Sequence, residues 1–201
     1  MGTPYNFLAE SYGANWIRFP RRGRADKGSG SKRNEPKKHE NTDVKMNKKF
    51  MKLAILEARK NLRTLDGGPF GACIVKNGKP IAIARNTVLR AKDATCHAEI
   101  NAIRLASKKL KNFDLSGCEI YSTTEPCPMC FGAIHWARID RVIYGTAIKD
   151  VKKIGFNELA ISAAKMRSAG KSGVKICGGF LIGECRAMLK DWSRLENRKV
   201  Y

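Results

Sequence analysis

Across its 201 residues the chain has no run of about 18 uncharged apolar side chains, so no segment is expected to cross a membrane. Residues 1–20 lack a basic start followed by an apolar stretch of about 7 to 15 residues, the pattern of a secretory signal. Internal repeats are missing too. Acids are scarce: 18 stand against 39 lysines and arginines, and the formal charge of +21 makes a polyanion a natural class of partner. Cysteine is plentiful, but Cys73, Cys96, Cys118, Cys127, Cys130, Cys177 and Cys185 are odd in number and scattered along a chain large enough to hold itself together unaided. A disulfide scaffold is therefore disfavoured, and a reducing, cytoplasmic setting is expected.

Between residues 20 and 43 no aliphatic side chain larger than Ala25 occurs. Such a stretch of charges, Gly, Ser, Asn and Pro cannot bury enough apolar area to offset the entropy of ordering it. Residues 1–45, including Tyr5, Phe7, Leu8, Trp16, Ile17 and Phe19 upstream of that stretch, are read as a disordered basic tail. Residues 46–201 are read as the folded domain. The tail holds 10 basic and 5 acidic residues and the domain 29 and 13, so most of the basic excess belongs to the domain.

From Asn47 the pattern changes. Phe50, Leu53, Ala54, Ala58 and Leu62 recur at helical spacing until Asp66-Gly67-Gly68-Pro69 stops the run. Short apolar runs at 70–75 and 81–84 flank Asn77-Gly78, a pair suited to the positive φ angles of a tight hairpin. Further helices are expected at 97–110, from 126 or 128 to 137, at 158–167 and at 181–195, alternating with strands at 119–123, 141–145 and 174–177. Such alternation argues for parallel neighbours in a three-layer α/β unit, because a helix is the usual crossover between parallel strands.

Two motifs carry chemistry: Thr95-Cys96-His97-Ala98-Glu99 and Pro126-Cys127-Pro128-Met129-Cys130. One imidazole and two thiols make a three-ligand set that suits zinc with one position left open, as in catalytic sites. Cys127 and Cys130 are three apart and share a face if a helix starts at the prolines, and a helix N-terminus favours thiolate over thiol. His97 and Glu99 can both reach one metal only where it lies off the end of a helix that Thr95 or Cys96 opens. Two other readings stay open on residues alone. Cys-x-x-Cys also makes a redox pair or half of a four-ligand structural site, with Cys96 the main competitor for a ligand position.

Together with Gly68-Pro69-Phe70-Gly71-Ala72, 124–130 and 132–145, these motifs make residues 47–201 resemble the cytidine deaminase-like superfamily, in its branch of guanine deaminases and tRNA adenosine deaminases. The pattern of His-x-Glu with Pro-Cys-x-x-Cys is the signature of zinc nucleobase deaminases. The resemblance implies a three-layer α/β/α fold with a mixed five-stranded sheet and helices on both faces. It also implies Zn2+ on His97, Cys127 and Cys130, with Glu99 shuttling protons without binding the metal. Asn86 and Phe70 stand where the branch places an amide and an aromatic beside the base, with Trp136, Asp150 and Tyr201 as further candidate substrate contacts. Free guanine, converted to xanthine and ammonia, is the preferred substrate. The alternatives are the wobble adenosine of a tRNA, which the basic charge favours, and cytosine or a triazine. A silent zinc module that binds RNA or a partner is disfavoured because Glu99 is present. A homodimer is expected.

Overall fold

The computed structural model describes residues 46–201; the tail expected at 1–45 lies outside the described residues. Asn47 caps helix α1 (Lys48–Arg59), its side chain accepting from the Lys49 N–H, and a short α2 (Asn61–Thr64) follows. Leu65, in a left-handed conformation, ends α2 just before the Asp66–Pro69 stop. Strands β1 (Gly71–Lys76) and β2 (Lys79–Arg85) form the expected hairpin, with Asn77 and Gly78 at φ of 50° and 69°. After a short α3 (Val88–Ala91) come α4 (Ala98–Leu110), β3 (Cys118–Thr124), α5 (Pro128–Trp136) and β4 (Arg141–Thr146). Helix α6 (Ile148–Lys152), α7 (Ala163–Ala169), β5 (Lys175–Cys177) and α8 (Ile182–Ser193) complete the order.

The sheet runs β2-β1-β3-β4-β5. Strand β1 is antiparallel to both neighbours, while β3, β4 and β5 are mutually parallel, joined through α5 and α7. Alternation along the strands sends side chains to two cores. On one face Cys73, Val75, Tyr121 and Ile143 pack against Met51, Ala54 and Ala58 of α1 and Cys185 and Met188 of α8. On the other, Ala72, Ile74, Ile120 and Val142 pack against Ala98, Ala102 and Ala106 of α4 and Phe131 and Ile134 of α5. The three-layer expectation is met, with a mixed five-stranded sheet.

One expected helix is displaced. The helix read at 158–167 starts only at Ala163, where Ser162 accepts from the Lys165 N–H as cap. The backbone of 156–162 is irregular instead. Its Asn157 N–H donates to the Tyr201 carbonyl, and the Ala163 N–H is taken by the buried carboxylate of Glu125. Short α3 and α6 occupy stretches read as loops; at four and five residues they are too brief for a periodic signal.

Candidate active site

The carboxyl end of β3 leads through Glu125 and Pro126 into α5, and Cys127 is that helix's N-cap with Pro128 in the first turn. Proline fits there because its missing N–H would have had no helical partner. Cys130 then falls one turn in and is fully buried. His97 is the N-cap of α4, extended at φ −65° and ψ 158°, and uses its ring on something other than capping. Its Nδ1 lies 3.8 Å from Cys127 Sγ and 3.6 Å from Cys130 Sγ. The three donor atoms sit within 4.8 Å of one another, and Cys96 is outside the group. Instead the Cys96 thiol contacts Asp93 and Arg104.

The chemistry of the donor set suits a metal ion. Three soft-to-borderline donors converge at the N-termini of two helices, whose free N–H groups favour negative charge. Cys130 donates to Cys127 and so brings the Cys127 thiol down to about 4, with His97 helping. The same bond, with burial and the Glu99 charge, drives Cys130 well above its ordinary value. One thiolate and one thiol sharing a proton beside an imidazole is an arrangement a divalent soft ion completes by displacing that proton. The residues fit zinc.

Glu99 is the second residue of α4, in its first turn, and is buried, 6% exposed. Its Oε1 accepts from Ser122 Oγ at 3.1 Å on the central strand, and its Oε2 is 3.5 Å from Cys130 Sγ. Burial raises the Glu99 carboxyl above its usual range, against the opposing pull of His97. Glu158 in the 156–162 segment is pushed up to about 7 by burial, with Cys127 and Glu99 adding and His97 opposing. Glu158 is thus near enough to Cys127, His97 and Glu99 for their charges to act on it. Periodicity placed Glu158 at a helix start; the one clue to its role is that it is an acid in a domain with only 13 of them.

The rest of the wall is built from segments distant in sequence. Asn86, fully buried, accepts at Oδ1 from the Tyr201 hydroxyl at 2.7 Å and from the Val88 N–H at 3.1 Å. Its Nδ2 is buried without a hydrogen-bond partner among the described residues. Tyr201 also accepts from the Gly68 N–H at 3.0 Å, and its ring meets Phe156 edge-on at 5.3 Å. Phe156 in turn meets Phe70 at 5.0 Å. Asn61, which the sequence did not single out, gives both Nδ2 hydrogens at 2.8 Å to the Gly68 and Asn86 carbonyls. Gly67 must be glycine because a Cβ there would strike Asn86 Oδ1.

Two expected contacts are not brought to this wall. Trp136 closes α5, eight residues from Pro128, and is 79% exposed. At 1.5 Å per residue the helix carries it about 12 Å from the cysteine end. Asp150 has both carboxylate oxygens engaged, one by the Ala147 N–H at 3.0 Å and one by Arg186 at 3.4 Å, so it caps α6.

The family described as the cytidine and deoxycytidylate deaminase zinc-binding region matches residues 44–146, a span that contains His97, Glu99, Cys127 and Cys130. The chain belongs to this family. The deaminase is 44% identical to the guanine deaminase of Bacillus subtilis over 152 residues, 76% of this chain and 97% of that one. It is also 44% identical to a tRNA-specific adenosine deaminase of Aquifex aeolicus, over 50% of this chain and 66% of that one. Among solved structures, the guanine deaminase of Nitrosomonas europaea superposes with a TM-score of 0.67 at 31% identity, covering 73% of this chain and 84% of that one.

Proposed function

We propose that this deaminase removes the exocyclic amine of a free aminated purine, guanine plus water giving xanthine plus ammonia, with Zn2+ held by His97, Cys127 and Cys130. When bound there, zinc supplies Lewis acidity that makes water acidic enough to lose a proton near neutral pH. The proton bookkeeping falls to Glu99. Its Oε1 is fixed by Ser122, which leaves Oε2, beside Cys130, to take a proton from the attacking water and return it to the departing amine. Phe70, with Phe156, provides an apolar wall for the ring, Asn86 Nδ2 an amide donor, and Glu158 an acceptor for a purine N–H.

The observation that carries the choice of a free base is the bridge from Gly68 through the Tyr201 hydroxyl to Asn86. A tyrosine fastened across Gly68 and Asn86 would enclose a small purine and keep water from it, whereas a base presented by a nucleic-acid strand needs an open mouth. A second reading, the wobble adenosine of a tRNA, is favoured by the basic excess of the domain, 29 residues against 13. No helix among the described residues is long and apolar enough to cross a membrane, and all seven cysteines are free, in keeping with a reducing cytoplasm. Exposed Trp136, Leu105 and Met129 on the adjacent helices α4 and α5 supply an apolar face for a homodimer.

The deciding experiment is ammonia release by zinc-loaded protein from guanine, cytosine and an adenosine-34 stem-loop, at low and high salt. Guanine turnover with little salt dependence is expected. Activity on the stem-loop alone, falling steeply with salt, would replace the first reading by the second.

A further inference from the structure

The hydrogen bonds around Asn86 have a fixed direction. The Val88 N–H can only donate, so the atom it meets at 3.1 Å is the amide oxygen. The Gly68 N–H also can only donate, so the phenol oxygen of Tyr201 accepts there and its own proton is left for Asn86 Oδ1 at 2.7 Å. Both acceptor positions of the amide oxygen are thereby used, while Nδ2, buried to less than 1 Å2, has no partner among the described residues. A buried amide donor without a partner is costly, and such groups cluster where a ligand is to supply the missing half of the bond. Asn61 holds the frame rigid, since its two amide hydrogens tie the carbonyls of the same two residues that the tyrosine bridges.

We infer that Tyr201 is a positioning residue whose hydroxyl locks the Asn86 amide with its oxygen turned away, so that the site presents a donor alone and takes a base edge that offers an acceptor, a ring carbonyl or an unprotonated ring nitrogen. The inference rests on the reading that Asn86 faces the base. It differs from simple closure of the pocket by an aromatic ring, because the ring and the hydroxyl then have separable effects. Loss of the hydroxyl removes one of the two donors that hold the amide oxygen and leaves the Val88 N–H alone against rotation, so the substrate must compete with a looser amide and with a Gly68 N–H that has lost its acceptor. Binding suffers before chemistry does, since zinc ligands and Glu99 are untouched.

The test is a double-mutant cycle on zinc-loaded protein with Tyr201→Phe and Asn86→Asp, following guanine turnover, zinc content and thermal midpoint. Asn86→Asp keeps an oxygen for Val88 and Tyr201 and replaces only the donor. Tyr201→Phe alone should lower kcat/KM about tenfold, chiefly through KM, at unchanged zinc content. In the Asn86→Asp background it should cost less than about twofold, because there is no donor left to aim. An equal tenfold loss in both backgrounds would overturn the inference. If Asn86→Asp does not fold, Tyr201→Phe is compared with deletion of Val200 and Tyr201: the hydroxyl should account for most of the loss, and a wild-type KM in Tyr201→Phe overturns the proposal. Should the wild type act on the stem-loop and not on guanine, the substrate reading fails separately, and the same cycle run on the stem-loop still decides the role of Tyr201.

Discussion

Cys130 and Cys177 show how burial and position separate a ligand from a filler. Cys130 is fully buried within reach of His97, whereas Cys177 sits half-buried on β5 among the residues that pack under α8. Cys130→Ala should purify with little zinc and Cys177→Ala with a full complement by elemental analysis; zinc retained in the first would remove the proposed site. For Glu99 the expectation is different in kind. Glu99→Gln keeps the bond from Ser122 and leaves the ligands alone, so zinc and fold should persist while turnover drops about 10^2- to 10^4-fold. The four residues His97, Glu99, Cys127 and Cys130 were legible in the sequence because their spacing is local: two apart at one helix start, three apart at another. Glu158, Phe156 and Asn61 were not, because nothing near them in the chain announces their partners. Asn61 meets Asn86 across 25 residues, a register set only when α1 and the hairpin pack together. Trp136 misled for the complementary reason, since the motif that contains it is real but the helix rise carries its end away from the cysteines.

At the scale of elements, the site hangs on joints between segments. Glu125 is the clearest: its two carboxylate oxygens take the Ile148 N–H at 3.2 Å and the Ala163 N–H at 2.9 Å, fastening the starts of α6 and α7 to the end of β3. The segment with Phe156 and Glu158 runs between those two fastenings, which is why it follows the pocket and does not continue as helix. Helical periodicity is blind to such a tether, and the expected helix at 158–167 was displaced for this reason. Asn61 does the same for the other side, and its Oδ1 also accepts from Arg85 Nε at 3.0 Å. Asn61→Ala leaves the Asn86 carbonyl without its partner, the Gly68 carbonyl with the Phe70 N–H alone and the Arg85 Nε unpaired, so a loss of about 2 to 4 kcal/mol is expected. Urea titration reads that loss, and kcat/KM should fall with it, because Gly68 and Asn86 are freed together. An unchanged denaturation midpoint would show that water replaces the amide at no cost. The hairpin, the two-sided helical layers and the crossovers were all readable, since each rests on periodicity or on a turn pair and not on a distant bond.

For the whole molecule the question is what the domain needs beyond itself. A protein starting at Met46 contains every element and every hydrogen bond described for the pocket, so it should fold and turn over a small substrate as the full chain does. A large loss of kcat/KM in that protein would place residues 1–45 in the working site. The proposed dimer has its own check: sedimentation at assay concentration should give twice the mass of the chain, and Trp136→Lys should shift it toward monomer with zinc retained. The outer strands limit how copies can meet. Strand β2 begins with exposed Lys79 and Pro80, and β5 has only three residues, the first of them exposed Lys175. Proline has no N–H to offer a neighbouring strand, lysine resists burial, and three residues give too short a template. Growth of the sheet from molecule to molecule is thus blocked at both ends, and contacts between folded copies are left to helices. Concentrated, folded protein should accordingly stay free of fibrils, and any amyloid that forms on heating should follow loss of the native sheet and not precede it.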